Sequence, residues 1–389
     1  MVRIESIESR RIFNSHVEPT TEYTIHADDG RAGTGASPHG ETVGIYEAHG
    51  ALAEPARVVE TLLAEGPVGT PVDQAGFDAY LAGKADVFGK NACYALSLAF
   101  FDLTRDMGDA DGGADQTPRM PRLCLNILNG GRHAYTNAVL SDFPEYLLVA
   151  AGDDVDEVIG AHDDIQRRVG ERLAACEKSA VNGNPVSVLG SRDNRACIEF
   201  LLGVTDGLGL SSDFALMIDA AAAGLWTGER YELGLTDGAP MTPEELCDHW
   251  LGIVGDYPLG FLEDPFREHD GASWTRLTTS QDTCTIIGDD FYATTAGRIA
   301  EGAAGHRTHG VVIKPNQAGS VTAVREAIGV TKRAGLTGIV SHRSVSTESP
   351  FEAYLACTYG LPYIKVGPLE TDYSSVIRLN EMIRLTERG

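Results

Sequence analysis

Carboxylates end three consecutive apolar segments of the sequence: Asp219 ends FALMID, Glu263 ends LGFLE, and Asp289 follows TIIG. A single aspartate after a strand is usually the N-cap of the next helix. Three carboxylates at matching strand ends are harder to explain as N-caps, because buried like charges repel one another unless a cation compensates them. Ligand sets made only of oxygen atoms favour Mg²⁺ or Mn²⁺ over zinc. The pattern therefore predicts a divalent metal site.

Two lysines end later segments of the same kind, Lys314 in GVVIK and Lys365 in YIK. A lysine in such a place must pair with a carboxylate or lose its charge. Beside bound cations the neutral amine becomes accessible, and it could then act as a general base. The alternative is a salt bridge from each lysine to the three carboxylates. The two interpretations are compatible.

Between the two lysines, the segment GIVS is followed by His342, Arg343 and Ser344. An arginine binds phosphate or phosphonate with two parallel hydrogen bonds, and a serine adds a hydroxyl donor. The tripeptide alone does not indicate an anion site. Its place at the end of another apolar segment predicts an anion site beside the metal.

Elements that would hold these side chains recur from residue 123 onward, where eight short apolar runs are each followed by a polar or helical segment. Such runs indicate a parallel sheet covered on both faces, and eight of them favour a closed barrel. Active sites of barrels lie at the C-terminal ends of the strands.

The part of the chain before residue 123 has a different pattern. Residues 3–34 alternate between polar and apolar side chains, as in a β-hairpin or meander, and residues 50–104 have helical periodicity. The turn-rich stretch 107–122 predicts two domains, 1–122 and 123–389.

Length and charge narrow the class of protein. The 389 residues exceed what one hydrophobic core supports. A formal net charge of −25 argues against nucleic acid as a partner. No apolar run approaches the roughly 18 residues of a membrane span, and no secretory signal begins the chain, so we expect a cytoplasmic protein. The seven cysteines lack the spacing of a disulfide framework or a zinc site.

Motifs throughout the chain resemble those of the enolase family, in the same order and at similar intervals. They are FLEDPF, IIGDDF, VVIKPNQAGS, VSHRS and YIKVG, with GIYEA at 44–48, GKNACYALSLA at 89–99 and NILNGGRHA at 126–134. The resemblance implies the α/β enolase fold, an N-terminal α+β domain followed by a modified (βα)8 TIM-like barrel with irregular first strands. It also implies a homodimer or a higher even oligomer.

The same resemblance implies a role for each matching residue. A firmly bound Mg²⁺ would be held by Asp219, Glu263 and Asp289. Lys314 would remove the proton α to the substrate carboxylate, and Lys365 would contact that carboxylate.

Further roles fall on residues around the barrel rim. The phosphorus group would be bound by His342, Arg343 and Ser344. Catalytic assistance would come from His133 and Glu145. In the first loop, Gly40 would approach the substrate, and Thr42 could help to hold a second Mg²⁺.

Other positions depart from the family pattern. Leu189 stands in place of the glutamate of a GDEGGF segment, which assists the departure of hydroxide. General acid catalysis contributes about 10²–10⁴ in rate, and leucine cannot provide it. Asp193 or Glu177 could substitute from a shifted loop. SHVEPT at 15–20 replaces SRGNPT, and Pro144 replaces a glutamine. The altered residues fall where the leaving group would lie, which favours a changed reaction on a related substrate.

Three functions fit a site that keeps the residues for metal, carboxylate and phosphorus binding but changes those near the leaving group. The first is that of the carboxyphosphonoenolpyruvate synthase family of phosphonate antibiotic biosynthesis, whose partners would be a small phosphorylated or phosphonylated carboxylic acid and a cytidylyl-activated second substrate. The second is an enolase-like dehydratase with a different general acid. The third is a non-catalytic relative, which the retained lysines and carboxylates disfavour because a scaffold has no need of buried charges.

Overall fold

The N-terminal part combines a small antiparallel sheet with helices. The structure, a computed structural model, describes residues 1–40, 45–46, 53–105, 117–131, 136–369 and 371–387. The sheet has the order β3-β2-β1-β4, from β1 (Val2–Phe13), β2 (Pro19–Ala27), β3 (Ala32–Ala36) and β4 (Pro71–Val72). The helices are α1 (Pro55–Glu65), α2 (Gln74–Ala82), α3 (Ala85–Phe88) and α4 (Lys90–Thr104). The alternating pattern of residues 3–34 is thus confirmed as a three-stranded meander.

Helix α4 packs closely on this sheet. A Cβ atom at Gly33 or Gly35 of β3 would lie 2.2 Å from the backbone of α4, so only glycine allows this approach. Phe100 of α4 stacks on Phe77 of α2 with ring centroids 5.0 Å apart. The helix is apolar on nearly all sides because it lies between this sheet and the rest of the protein.

The remaining strands form the barrel that the apolar runs predict. Its eight strands close in the order β10-β11-β12-β13-β14-β5-β6-β9. They are β5 (Arg122–Asn129), β6 (Glu145–Ala150), β9 (Phe214–Asp219), β10 (Leu259–Glu263), β11 (Thr285–Gly288), β12 (Gly310–Ile313), β13 (Thr337–Val340) and β14 (Tyr363–Val366). A separate hairpin is formed by β7 (Glu177–Val181) and β8 (Asn184–Val188). The enolase-type fold class is confirmed.

One strand contradicts the expectation of an all-parallel sheet. β6 runs antiparallel to both β5 and β9, whereas the other neighbouring pairs are parallel. The first residue of β6 therefore lies at the end of the barrel where the other strands finish.

Helices cover the outside of the barrel. They are α5 (Val155–Ala174), α6 (Arg195–Gly207), α7 (Pro243–Asp256), α8 (Gly271–Thr279), α9 (Ala296–Ala304), α10 (Pro315–Ala318), α11 (Val321–Arg333), α12 (Phe351–Thr358) and α13 (Ser374–Thr386). Helix α7 begins with a capping box between Thr242 and Glu245. In the part of the chain that the structure describes, no helix is both long and apolar enough to cross a membrane.

The inside of the barrel is filled with apolar side chains below its polar end. Cys124, Met217, Ile287, Val312 and Ile339 are among the buried residues of this inner cluster. Because layers of apolar side chains fill the barrel, its inside is a packed core, and the active site lies at the C-terminal end. The chemistry-bearing residues of the sequence lie at that end.

Candidate active site

Three neighbouring strand ends bring the predicted acidic residues together. Asp219 and Glu263 are register partners across β9 and β10, and Glu263 is in turn the partner of Ile287 in β11. Asp289 follows directly after β11. Glu263 is fully buried and Asp289 is 5% exposed. The sequence-based expectation that these strand ends meet is therefore met in the structure.

Both predicted lysines pair with this acidic set. The Nζ atom of Lys365 lies 2.8 Å from Glu263 Oε2, 3.2 Å from Asp219 Oδ2 and 3.4 Å from Glu145 Oε2. Lys314 forms an ion pair with Asp289. The salt bridges that the sequence offered as the compatible alternative are therefore present in the structure.

Burial and charge act against each other in this cluster. Burial acts to lower the pKa of Lys365, but the Glu263 and Asp219 carboxylates raise that pKa well above its ordinary value. Burial and the Asp219 charge raise the pKa of Glu263 well above its ordinary range. Burial opposes ionisation of Asp219 as well, yet the charges of Lys365 and Lys314 bring its pKa below normal. Two lysines therefore stabilise a group of carboxylates that could not otherwise all ionise.

The acidic side chains also leave oxygen atoms available for a cation. Glu263 Oε1 and Asp289 Oδ1 are buried and have no hydrogen-bond partner among the residues that the structure describes. A buried carboxylate oxygen without a partner is costly, and a hard cation such as Mg²⁺ prefers oxygen ligands of this kind. The residues thus fit the predicted Mg²⁺.

A second acidic group, Asp264, Asp289 and Asp290, shares Asp289 with the predicted set. Ligand atoms of these three residues lie within 4.8 Å of one another. Both oxygens of Asp264 accept backbone N–H groups, each at 2.9 Å, from Asp289 and Asp290. Asp264 therefore fixes the backbone that presents Asp289. Sequence reasoning missed Asp264 and Asp290, although the doubled acids in FLEDPF and IIGDDF were a signal.

The predicted anion-binding residues follow β13 at the same end of the barrel. Arg343 is buried, Ser344 is exposed, and both line the cavity together with Lys314 and Lys365. A buried guanidinium beside two ammonium groups can bind the phosphorus group of a substrate that also carries a carboxylate.

His342 is held in the wall of the same cavity. Its Nδ1 atom lies 3.3 Å from the Lys365 carbonyl oxygen, and its Nε2 atom lies 3.8 Å from Asp372 Oδ2. Burial and the nearby Arg378 charge lower the pKa of His342 to about 3. His342 is therefore a neutral imidazole at physiological pH, able to donate one hydrogen bond but not to supply charge.

A cavity of about 570 Å³ collects these groups. From the predicted set it is lined by Gly40, Glu145, Asp219, Asp289, Lys314, His342, Arg343, Ser344 and Lys365, and from outside that set by residues that include Ser15, His16, Asn126, Asn129, Thr371 and Asp372. Two predicted residues, Thr42 and His133, lie outside the described residues.

The cavity contains none of the three positions discussed for the general acid. Leu189 packs against the main hydrophobic core and is not among the lining residues. Asp193 is exposed beside Arg195, and Glu177 is exposed on β7. Neither carboxylate lines the cavity in the part of the chain that the structure describes.

Two buried asparagines of β5 were quoted in the motif NILNGG without a role. Asn126 and Asn129 are each 5% exposed, and the Oδ1 atom of each lacks a hydrogen-bond partner among the described residues. The Nδ2 atom of Asn129 donates to the Pro144 carbonyl at 3.4 Å. Their buried polar atoms extend the polar lining beyond the predicted residues.

Comparisons with known proteins agree with this geometry over the whole chain. The family model for the enolase C-terminal TIM barrel domain matches residues 117–388. An enolase of Halobacterium salinarum is 30% identical over 411 residues and an enolase of Natronomonas pharaonis is 31% identical over 405, covering 99% or more of both chains in each case. An enolase of Acidothermus cellulolyticus is 30% identical over 421 residues, with 100% of this chain and 95% of the relative covered. The chain belongs to the enolase family.

Proposed function

We propose that this protein is a Mg²⁺-dependent enzyme that forms or stabilises the enolate of a small acid bearing a carboxylate and a phosphorus group. The observation that supports this most directly is that Lys314, Lys365, Asp219 and Asp289 share one cavity with Arg343, while the buried Glu263 pairs with Lys365 behind its wall. The relationship to enolases favours an enzyme, of the lyase type or a derived transferase.

Mg²⁺ would be held by Asp219, Glu263 and Asp289, and the unpaired buried oxygens of Glu263 and Asp289 fit it. When bound, it supplies the positive charge that a developing enolate requires. A second Mg²⁺ with Thr42 as a ligand remains part of the proposal.

Side chains of the protein carry out the other steps. Lys314 Nζ takes the proton α to the carboxylate, and Lys365 binds that carboxylate by charge-assisted hydrogen bonds. Arg343 and Ser344 bind the phosphorus group, and His342, whose single N–H donates to the Lys365 carbonyl, lines the cavity wall beside them. His133 and Glu145 act from the rim. These contacts hold the reacting acid at one end of the barrel and exclude water from it.

Elimination of hydroxide is disfavoured by the position of the candidate acids. Hydroxide leaves poorly without a proton donor, and Leu189 cannot donate one. Asp193 and Glu177 lie on the exposed surface away from the cavity lining. These facts support a reaction other than the dehydration of 2-phosphoglycerate.

The specific reaction that we propose is that of a carboxyphosphonoenolpyruvate synthase in the biosynthesis of a phosphonate antibiotic. The oxygen of a three-carbon enolpyruvate skeleton, whose proton passes to the lysine base, would form a bond to the phosphorus of a phosphonoformyl group. The bond from that phosphorus to cytidine monophosphate would break, and the nucleotide would leave as its phosphate anion. The cavity volume of about 570 Å³ supports the proposal, because a nucleotide leaving group needs space beside the three-carbon acid.

Two assays with the purified protein and Mg²⁺ test this function. The first measures phosphoenolpyruvate formed from 2-phosphoglycerate, which we expect to be far below the turnover of an ordinary enolase. The second follows release of cytidine monophosphate from the cytidylyl ester of phosphonoformate with a three-carbon acid. Turnover at an ordinary enolase rate in the first assay would overturn the transfer reaction in favour of the dehydratase.

We further propose that the protein is a cytoplasmic homodimer or higher even oligomer. Seven unpaired cysteines, six of them buried, are compatible with a reducing compartment. Light scattering of the purified protein at several concentrations tests the assembly, and a monomer at all of them would contradict it.

A further inference from the structure

A tight turn from Asn14 to Glu18 lies beside the anion-binding residues and holds one residue in an unfavourable conformation. Val17 has φ +60°, in the left-handed region that β-branched residues rarely adopt. It is also exposed, so burial of its side chain does not compensate for this conformation. Such strain persists where the surrounding structure imposes it, and it is most frequent at binding sites.

Hydrogen bonds impose the shape of this Asn14–Glu18 turn. The buried Asn14 side chain accepts the backbone N–H groups of His16 and Glu18 through Oδ1, each at 3.0 Å. The backbone N–H of Val17 donates to the Asn14 carbonyl, also at 3.0 Å. The turn thus fixes the backbone of His16 from both sides.

The turn is also fastened to the segment that follows Arg343. Ser15 N–H donates to the Ser346 carbonyl at 2.9 Å, and Ser346 N–H donates to Ser15 Oγ at 2.9 Å. Ser346 Oγ in turn donates to the Arg343 carbonyl at 2.8 Å. His16 and Arg343 are therefore positioned relative to each other by short, direct contacts.

The side of the cavity formed in this way offers hydrogen-bond donors. Ser15 and His16 line it together with Arg343 and Ser344. The neighbouring Glu18 is not among the lining residues, and its Oε2 atom accepts from Asn14 Nδ2 at 3.5 Å and lies 3.9 Å from His39 Nε2. The carboxylate of the turn is thus engaged by other groups, whereas Ser15 and His16 form part of the cavity wall.

We propose that the Asn14–Glu18 turn presents His16 to a second phosphoryl group of the substrates, beyond the phosphorus group that Arg343 binds. This inference rests on the proposed function, because the nucleotide-bearing second substrate would carry that group. His16 donates a hydrogen bond to a phosphoryl oxygen, and the hydrogen bonds that Asn14 accepts hold the turn that presents it. The site recognises the phosphoryl group rather than the nucleoside.

Calorimetric titration of the Mg²⁺-loaded protein with cytidine 5′-monophosphate, inorganic phosphate and cytidine tests this site. We expect His16→Ala to weaken the binding of cytidine 5′-monophosphate about tenfold or more, the loss expected when a hydrogen bond to a charged group is removed. His16→Gln keeps an N–H donor and should restore part of the affinity. Val17→Gly accepts the same φ without strain and should bind within about twofold of the wild type.

Several results would overturn the inference. These are a His16→Ala protein that binds cytidine 5′-monophosphate as tightly as the wild type, a wild type that does not bind it, or cytidine binding with the same dependence on His16. The melting temperature of each variant controls for folding. Failure of the proposed function shows separately, as absent nucleotide release by the wild type in the transfer assay.

Discussion

Glu145, the first residue of β6, is the register partner of Asp219, the last residue of β9. The pairing depends on the antiparallel direction of β6, which places its start beside the finish of its neighbour. Both carboxylates consequently reach Lys365, Asp219 at 3.2 Å and Glu145 at 3.4 Å. The antiparallel strand β6 thus adds the carboxylate of its first residue to the end of the barrel where the other strands finish.

Replacing Glu145 by glutamine should reduce activity without destabilising the fold. The change keeps the shape of the side chain, and Lys365 retains Glu263 at 2.8 Å and Asp219 at 3.2 Å. Because Glu145 lines the cavity, we expect its loss to lower kcat/KM for α-proton exchange by about 10²-fold, as for a lost acid–base group. Hydrogen exchange at carbon 2 of 2-phosphoglycerate, followed by NMR, measures this. Unchanged exchange with an unchanged free energy of unfolding would remove Glu145 from the catalytic set.

Mg²⁺ should stabilise the wild type and have little effect on Asp289→Asn. A ligand that binds only the folded state at 100 times its Kd adds about 2.7 kcal/mol to the free energy of unfolding. The buried, unpaired Oδ1 of Asp289 is one of the atoms that we assign to the ion. Thermal unfolding with and without MgCl2 measures the difference, and Asp282→Asn, an exposed aspartate outside the cavity, is the matched control. Equal stabilisation of all three proteins would contradict the metal site.

Asp372 should make the stability of the protein depend on acidic pH. Burial acts to raise the pKa of Asp372, but the Ser374 hydroxyl, the Arg378 guanidinium and the Ser375 hydroxyl hold that pKa below its ordinary value. A carboxylate with a depressed folded-state pKa contributes stability above its unfolded pKa of about 3.9, and this stability is lost as the pH falls through the folded pKa.

The matched variant for this prediction is Asp372→Asn. Arg378 is almost fully buried and its Nη2 atom lies 2.9 Å from Asp372 Oδ2, so removing the carboxylate should cost about 3 kcal/mol at pH 7. Urea unfolding of both proteins from pH 7 to pH 3 measures the difference, which should shrink below about pH 4. A difference that stays constant over this range would show that the Asp372 charge does not carry the effect.

Much of the site could be predicted because its residues follow a simple rule. Parallel strands end together, so Asp219, Glu263 and Asp289 had to meet once the barrel was recognised. The same rule placed Lys314 and Arg343. These side chains depend only on local position after an apolar strand, which a sequence displays directly.

Other features depend on contacts that a sequence does not display. The direction of β6 is not displayed by its own residues, because EYLLVA has the same apolar pattern in both directions, and only the resemblance implied irregular first strands. The role of Asp264 depends on the backbone N–H groups of Asp289 and Asp290, 25 and 26 positions away. The position of His16 depends on the pairing of Ser15 with Ser346 across 331 positions.

The chemistry proposed here depends above all on the Lys314 amine. In the wild type with Mg²⁺ and deuterium oxide, carbon 2 of 2-phosphoglycerate should exchange its hydrogen. In Lys314→Ala that exchange should fall by about 10²–10⁴-fold, while Lys332→Ala, which changes a lysine outside the cavity, should keep it. Exchange in Lys314→Ala at the wild-type rate would contradict proton removal by this lysine and the enolate mechanism with it.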